Sequence, residues 1–273
     1  MPRTGGASAL GVVVPSRNRP AWAARAVRSA LAQRAVSEVI VVDDGSDPPL
    51  DLSGIADPRL RVLRLDGRGV SAARNAGIAA ARASHLAFVD DDDRLLRFAG
   101  RAMARWASRG GSDRVTVGSL VIDRPGAPPR RRWQLVRPPS SEPGEIWGLD
   151  AHLLAGRRSF ATKQAALLPR ALLERVGGWD ESLRTRETSE LFMRLCQVAA
   201  VEGRRWPVYR LNRGEHDRLT RDVNARVASV DRIRDKHAAL LADEARRRTF
   251  EANHASMMRR MGARARETAE HGA

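Results

Sequence analysis

Four consecutive aspartates, Asp90 to Asp93, follow an apolar run in the segment FVDDDDR. Adjacent carboxylates raise one another's pKa, so either solvent dissipates the repulsion or a cation does. Carboxylates separated by one residue at a strand end point the same way, because alternate side chains of a strand share a face. Oxygen ligands with no His or Cys nearby suit Mg²⁺ or Mn²⁺, which can neutralise charge on a diphosphate leaving group. The run indicates either a divalent-metal site or a hydrated acidic loop.

Two further motifs could bind a nucleotide. In VIVVDDGSD, residues 39–47, a carboxylate could accept hydrogen bonds from a nucleobase or a ribose, or it could cap a turn or a helix. In RGVSAARNAGIAAA, residues 68–81, Gly69 and Ser71 can begin a helix whose N-terminal amides favour an anion. Arg74, about one turn into that helix, can pair bidentately with a phosphate or an aspartate, or it can lie on the surface.

The elements that would position these motifs alternate between strands and helices. Short apolar runs predict strands over 10–14, 39–42, 60–65 and 86–89, and Ala-rich segments predict helices over 21–34 and 70–83. This alternation is typical of βαβ units in a mostly parallel sheet flanked by helices, which is an α/β fold. Ligands of such sheets bind beyond the carboxyl ends of the strands. PSRNR, DDGSD and DDDD each follow a predicted strand, so we expect them to line one crevice.

The rest of the chain is less regular. Residues 123–148 are rich in Pro, Gly, Ser and Arg and predict an irregular excursion. A helical pattern covers 149–176, interrupted by Pro169, and GGWD at 177–180 predicts a turn before a helix over 187–199. From Val223 onward, apolar residues at spacings of three and four predict a long amphipathic helix, and a second, weaker one follows. We expect these helices to pack on the core; a homodimer contact or a peripheral membrane contact is the alternative.

Composition narrows the class of protein. The formal net charge is +16, but the arginines are scattered over the chain and the aromatic residues do not alternate with basic runs. This distribution argues against binding of nucleic acid. The single Cys196 excludes an internal disulfide, and no apolar stretch approaches the roughly 20 residues that span a bilayer. We therefore expect a cytoplasmic protein, with peripheral membrane association left open.

Five segments in this order resemble the family 2 glycosyltransferases of GT-A fold: VVVPSRNRP, VVDDGSD, GVSAARNAGIAAA, LAFVDDDD and VGGWDESLRTRETSELFMRL. The resemblance covers about residues 8–215. It implies a Rossmann-like GT-A fold with a nucleotide-sugar-binding half over 8–120 and an acceptor half over 121–215. The helices predicted from Val223 onward would then form a C-terminal helical extension over 216–273. It also implies transfer of a sugar from a UDP-, GDP- or dTDP-sugar to an unidentified acceptor, with inversion at the anomeric carbon and with Mn²⁺ or Mg²⁺ as cofactor.

The resemblance also implies roles for individual residues. The donor would be bound by residues of the first four motifs, namely Pro15, Arg17, Asn18, Asp44, Arg74, Asp90 and Asp91. Asp92 would coordinate the metal, with Asp93 as a substitute because four successive aspartates leave the register open by one, and His216 as a metal ligand or phosphate contact. Trp179 and Asp180 would lie at the acceptor site.

The chain departs from the family pattern at two positions. Arg17 stands where the family usually has an aromatic residue, which leaves the base of the nucleotide open. Thr188 stands where the family usually has the Asp that acts as general base, and a hydroxyl is too weak a base to replace it. Glu187 and Glu190, which we expect to share a helix face, are the alternative bases.

Two other interpretations of Thr188 remain. The acceptor could be nucleophilic enough to need no strong base. The chain could also be a nucleotide-sugar-binding protein with little or no transfer activity.

Overall fold

The computed structural model describes residues 9–154, 158–214 and 222–270; of residue 257 and residues 260–270 it describes the backbone alone. These residues form one nine-stranded sheet with helices on both faces. The predicted α/β class is confirmed. Residues 215–221, which hold His216 and the predicted boundary at 216, lie outside the described residues.

The first half of the sheet is parallel and matches the sequence prediction closely. Its strands are β1 (Leu10–Ser16), β2 (Val36–Asp44), β3 (Leu60–Leu65) and β4 (His85–Phe88). Its helices are α1 (Pro20–Leu31) and α2 (Val70–Ala80). β1 and β4 are buried along their whole length, because helices cover both faces of a parallel sheet. Gly77 brings α2 against β1: a Cβ at this position would lie 2.3 Å from Val13 Cγ1.

The second half of the sheet is mixed, and parts of it differ from the prediction. Its strands are β5 (Arg94–Leu95), β6 (Arg114–Asp123), β7 (Trp133–Val136), β8 (Ala166–Pro169) and β9 (Ala200–Asn212). The strand order of the whole sheet is β3-β2-β1-β4-β8-β6-β9-β5, with β7 paired to β6. The helices between them are α3 (Ala99–Gly110), α4 (Pro129–Arg132), α5 (Arg170–Arg175) and α6 (Glu187–Val198). α6 confirms the helix predicted over 187–199.

Two segments were predicted wrongly. The segment 149–176 was predicted to be helical, but it contains two short 3₁₀ turns, strand β8 and α5. β8 lies antiparallel between β4 and β6 and is buried, so tertiary pairing outweighs the helical propensity of its Ala and Leu residues. The segment 123–148, predicted to be irregular, contains α4 and β7.

The C-terminal helices pack on the core, as predicted. They are α7 (Val223–Lys236), α8 (Ala238–Leu241) and α9 (Glu244–Glu270). The apolar cluster that contains the buried residues of α6 also contains four residues of this region: Val230, Ile233, Leu241 and Phe250. Within the described part of the chain, no helix is both long and apolar enough to cross a membrane.

Candidate active site

The carboxyl ends of β1, β2 and β4 meet at one edge of the sheet, as predicted. The register pairs Ser16 at the end of β1 with Asp43 in β2, and Val13 with Phe88 at the end of β4. The polar motifs that follow these three strands therefore begin side by side. Pro15 is buried within β1, and its predicted contact with the donor stays a prediction.

The first two strand ends are cross-linked by Asn18. Its backbone N–H donates to Ser46 Oγ at 2.9 Å, and its side-chain Oδ1 accepts from the N–H of Asp47 at 2.9 Å. Asn18 has φ of 56°, a left-handed conformation that Asn tolerates better than most residues. Asn18 thus fixes the relative position of the first and second motifs.

Asp44 and Arg17 converge on the loop that precedes α2. The Asp44 carboxylate accepts hydrogen bonds from the backbone N–H groups of Arg68 and Gly69, at 2.7 and 2.8 Å. The guanidinium of Arg17 lies over Gly67, where an added Cβ would stand 3.3 Å from Nη1. Two of the residues predicted to bind the donor therefore border the same loop, and Asp44 also holds that loop in place.

Arg74 joins the donor half of the molecule to the acceptor half. Its side chain is buried, and it donates to Asp90 Oδ1 at 2.7 Å and to Glu187 Oε1 at 2.9 Å. Its guanidinium also lies 5.5 Å from the centre of the Trp179 ring. Burial alone would lower the pKa of Arg74, but the charges of Asp90 and Glu187 outweigh burial and raise it. Arg74 is therefore a permanent cation between the end of β4 and the start of α6.

The next residue of α2, Asn75, holds the GGWD turn. Its Oδ1 accepts from the N–H of Trp179 at 2.8 Å, and its Nδ2 donates to the carbonyl of Trp179 at 2.9 Å. Gly178 has φ of +64°, and a Cβ there would lie 2.5 Å from Asn75 Oδ1. The turn therefore requires both the asparagine and the glycine, and it places the Trp179 ring beside Arg74.

The four aspartates divide into two pairs. The side chains of Asp90, Asp92 and Asp91 are 34%, 15% and 10% exposed, and Asp93 is buried. Asp90 accepts from Arg74, and Asp92 lies 4.0 Å from a guanidinium nitrogen of Arg19. Asp90 and Asp92 are thus the pair that stays accessible at the edge of the sheet.

The buried pair stabilises the loop. Asp91 accepts from Ser16 Oγ at 2.9 Å and from Arg19 at 3.3 Å, and burial raises its pKa to about 6 against the opposing effect of these two partners. Asp93 accepts from the Tyr209 hydroxyl at 2.8 Å and from the N–H of Asn212 at 2.7 Å. Burial and the charges of Asp92 and Asp90 raise the pKa of Asp93. The carboxylate oxygens of Asp91 and Asp93 therefore accept hydrogen bonds from protein donors, and the donor and metal roles predicted for them stay predictions.

The accessible pair fits a hard divalent cation in part. Both side chains offer carboxylate oxygens, which are the ligands that Mg²⁺ and Mn²⁺ prefer. No group of three or more His, Cys, Asp or Glu side chains in the described ranges could hold a metal by itself. Asp90 and Asp92 would supply two ligands and leave the rest to solvent and phosphate, an arrangement typical of Mg²⁺. His216, the other predicted ligand, is not among the described residues.

A pocket opens between α2, the end of β4, β8 and the start of α6. Its wall is made of Arg74, Phe88, Asp90, Lys163, Gln164, Ala166, Leu168, Trp179, Thr188 and Phe192. Thr188 Oγ1 lies 3.5 Å from both Trp179 Nε1 and Glu187 Oε1. The position at which a general base was expected therefore does face a pocket, and it carries no ionisable group. Trp179, predicted at the acceptor site, is also in this wall.

Glu190 and Asp180 do not line this pocket. Glu190 is fully buried and pairs with Arg194 at 2.6 Å, Lys236 at 3.0 Å and His237 at 3.1 Å. Burial would raise its pKa, but hydrogen bonds from His237 and Arg194 lower it to about 2. Asp180 bonds to Ser182 and, at 2.7 Å, to Lys236. Both carboxylates anchor α7 to the body of the protein, so the structure does not bring them into the pocket wall with Trp179 and Thr188.

Several residues of the site were missed in the sequence. Each either fixes a predicted residue or lines the pocket; they are Ser16, Arg19, Asn75, Lys163 and Tyr209. Two of them had a signal in the composition. Tyr209 is the only tyrosine of the chain, and Lys163 is one of only two lysines among 48 basic residues.

Comparisons with known proteins agree with this geometry. Residues 11–177 match a family model described as Glycosyl transferase family 2. The succinoglycan biosynthesis protein ExoO of Rhizobium meliloti (strain 1021) is 41% identical over 114 residues, which are 40% of this chain and 32% of ExoO. ExoU of the same organism is 36% identical over 117 residues, 41% of this chain and 33% of ExoU. The chain thus aligns with about a third of the length of each relative.

Solved structures share the fold. The structure of S. aureus TarS 1-349 in complex with UDP-GlcNAc has a TM-score of 0.59 at 20% identity, over 78% of this chain and 60% of that chain. The structure of the same protein in complex with UDP has a TM-score of 0.56 at 20% identity, over 81% of this chain and 65% of that chain. This similarity confirms the predicted GT-A α/β fold.

Proposed function

The chain belongs to glycosyl transferase family 2, and on this premise we propose that it transfers a sugar from a nucleotide-diphosphate donor to an acceptor. The observation that carries the proposal is the Arg74 junction. One buried guanidinium binds Asp90 at the donor edge of the sheet and Glu187 at the start of α6, beside a pocket. The UDP-GlcNAc and UDP complexes of TarS support a sugar nucleotide as the donor.

The nucleoside would lie across the ends of β1 and β2. Arg17 presents a guanidinium that can stack on a base, and Asp44 borders the same loop. Asn18 would act indirectly, because its bonds to Ser46 and Asp47 hold the two motifs together. UDP-, GDP- and dTDP-sugars are the donors to compare.

Asp90 and Asp92 would hold Mg²⁺ or Mn²⁺, and the ion would neutralise the charge that develops on the leaving diphosphate. The protein's own contribution is to hold these two side chains. Arg74 orients Asp90 at 2.7 Å, and the buried Asp93, bonded to Tyr209 and Asn212, fixes the backbone that follows. Such preorganisation of charged groups is a large source of rate acceleration.

Inversion would follow from a single displacement, with the acceptor attacking the anomeric carbon from the side of α6. Of the two carboxylates predicted as bases, Glu187 remains beside the pocket, and it would take the proton of an alcohol acceptor. Its Oε1 also accepts a hydrogen bond from Arg74 at 2.9 Å. An acceptor that arrives deprotonated would need no base.

A nucleotide-sugar-binding protein with little or no transfer activity is the second candidate. The observation in its favour is Thr188, which lines the pocket without an ionisable group. This candidate predicts that the donor binds but that nucleoside diphosphate is not released. A Thr188→Asp variant that gains turnover from an inactive protein would support it.

Calorimetry with a panel of UDP-, GDP- and dTDP-sugars tests donor binding. We expect one donor to bind more tightly with MnCl₂ or MgCl₂ than with EDTA, and Asp92→Ala to remove the metal-dependent part. Asp113→Ala is the matched control, because Asp113 is exposed and precedes β6 at the opposite edge of the sheet. Donor affinity that is the same with and without metal, or unchanged by Asp92→Ala, would contradict the proposed metal site.

A further inference from the structure

Lys163 is a buried lysine in the wall of the pocket. It lies in the 3₁₀ turn Phe160–Ala165 that precedes β8, and it is 9% exposed. Its Nζ lies 3.4 Å from Ser189 Oγ and 5.6 and 5.9 Å from the ring centres of Phe160 and Phe192. Aromatic faces at this distance favour the charged ammonium.

No carboxylate pairs with Lys163 within the described ranges. Asp90, which lines the same pocket, is bonded to Arg74, as is Glu187 at the start of α6. Burial, together with the charge of Arg186, lowers the pKa of Lys163 to about 8, with a small opposing effect of Cys196. The side chain is thus still mainly protonated at pH 7. An uncompensated buried charge in a pocket costs free energy that a bound anion would recover.

The other polar groups of the pocket fit the same ligand. Thr188 is neutral, whereas an aspartate at that position would repel an anion. Gln164 Oε1 is buried without a hydrogen-bond partner, so it can accept from a hydroxyl or a singly protonated phosphate. The wall therefore offers a cation and a hydrogen-bond acceptor where a basic carboxylate was expected.

We propose that Lys163 binds an oxyanion of the acceptor, a phosphate or a carboxylate, and that this oxyanion is the nucleophile. The inference rests on the proposed transferase function and names its acceptor class. A lone pair of the oxyanion forms the new bond to the anomeric carbon. The bond from that carbon to the diphosphate oxygen breaks, and its electron pair leaves with the nucleoside diphosphate. The oxyanion carries no proton that must be removed. The reaction therefore needs no general base at the position of Thr188.

Titration of inorganic phosphate tests the site directly. The protein is first saturated with MgCl₂ and the nucleoside diphosphate that binds best in the donor panel, which blocks the diphosphate site. We expect millimolar phosphate binding, weakened at least tenfold in Lys163→Met and retained within threefold in Lys163→Arg. Arg105→Met removes an exposed charge on α3 and should bind as the wild type does. Absence of phosphate binding in the wild type, or equal binding in Lys163→Met, would overturn the proposal.

If no nucleoside diphosphate binds, the proposed function fails instead. The same titration of the nucleotide-free wild type and Lys163→Met then tests the anion site alone, with the same two outcomes. The failure of one proposal is thereby distinguished from the failure of the other.

Matched probes identify which substrate carries the oxyanion. We expect transfer to octyl phosphate to exceed transfer to octanol, and Lys163→Met to reduce the former at least a hundredfold. Faster transfer to octanol would overturn the proposal. So would a Lys163→Met variant that binds UDP-glucuronate at least tenfold more weakly but UDP-glucose normally, because the oxyanion would then belong to the donor sugar. A rate that rises through pH 8 and is lost in Lys163→Arg would instead make Lys163 a base.

Discussion

Helix α6 carries two carboxylates three residues apart that have opposite surroundings. Glu187, at its first residue, is partly exposed and shares Arg74 with Asp90 beside the pocket. Glu190 is fully buried and enclosed by Arg194, Lys236 and His237. The first cluster leaves oxygen atoms accessible to a substrate, and the second uses its oxygens to attach α7. How completely a carboxylate is enclosed, rather than its position in the sequence, therefore distinguishes a charge that a substrate can reach from one that only supports the structure.

The largest effect on stability is expected at Glu190. Glu190→Ala would leave Arg194, Lys236 and His237 without their carboxylate, and breaking a buried ion pair typically costs about 3–5 kcal/mol. We expect a loss of this size in the free energy of unfolding by urea, with turnover per folded molecule within a few-fold of the wild type. Glu251→Ala, an exposed carboxylate of α9, is the control. A large loss of turnover without a loss of stability would make Glu190 part of the site.

The pH dependence of the free energy of unfolding should also reflect the ionisation of Glu190. The pKa of Glu190 is about 2 in the folded protein against 4.5 for the ordinary group. Its contribution is therefore fully present above about pH 4.5 and is lost as the pH falls towards 2, and it amounts to about 3 kcal/mol. Unfolding free energies between pH 3 and 6 should fall more steeply with acid in the wild type than in Glu190→Gln. Equal slopes would contradict the enclosed ion pair.

Glu187 should behave differently. Glu187→Gln keeps the shape of the side chain but removes one of the two charges that hold Arg74. If the acceptor is an oxyanion, we expect turnover to fall only about tenfold, which is about 1.4 kcal/mol. A loss of a thousandfold or more would instead identify Glu187 as the general base and favour an alcohol acceptor. Steady-state rates of nucleoside diphosphate release measure this difference.

The smallest effect is expected at Tyr209. Tyr209→Phe removes the hydroxyl that donates to Asp93 and accepts from the N–H of Asp90 at 3.3 Å. We expect a destabilisation of about 1 kcal/mol and a weaker metal dependence of donor binding, because the loop that bears Asp90 and Asp92 loses one support. Thermal unfolding and calorimetry would measure the two effects. If donor binding is unchanged, the buried aspartates do not position the accessible pair.

The sequence predicted the first half of the sheet well, because Val and Ile runs such as those of β1 and β2 are buried on both faces wherever they pair. It did not predict β8, since AALLP is helical in composition and becomes a strand only between β4 and β6. The burial of Glu190 was also not predictable, because its partners Lys236 and His237 lie at the end of α7, and the predicted packing of that helix on the core did not specify which side chains would meet.

The site residues also differ in how well the sequence predicts them. Asp44, Arg74, Asp90 and Asp92 follow strand ends or a helix start, so a topological rule locates them. The burial of Asp91 and Asp93, and the uncompensated charge of Lys163, depend on long-range partners such as Tyr209 and Phe192. The sequence around each of these residues does not predict such contacts, because they join residues that are far apart in the chain.

Product analysis with the donor that binds tests the proposed transfer to an oxyanion acceptor most directly. The purified protein, MnCl₂, the sugar nucleotide and octyl phosphate are combined, and the anomeric configuration of the product is read by proton NMR. We expect a sugar–phosphate product with inverted configuration, formed together with nucleoside diphosphate and absent with Asp92→Ala. Retained configuration, or a product that forms equally with Asp92→Ala, would contradict it.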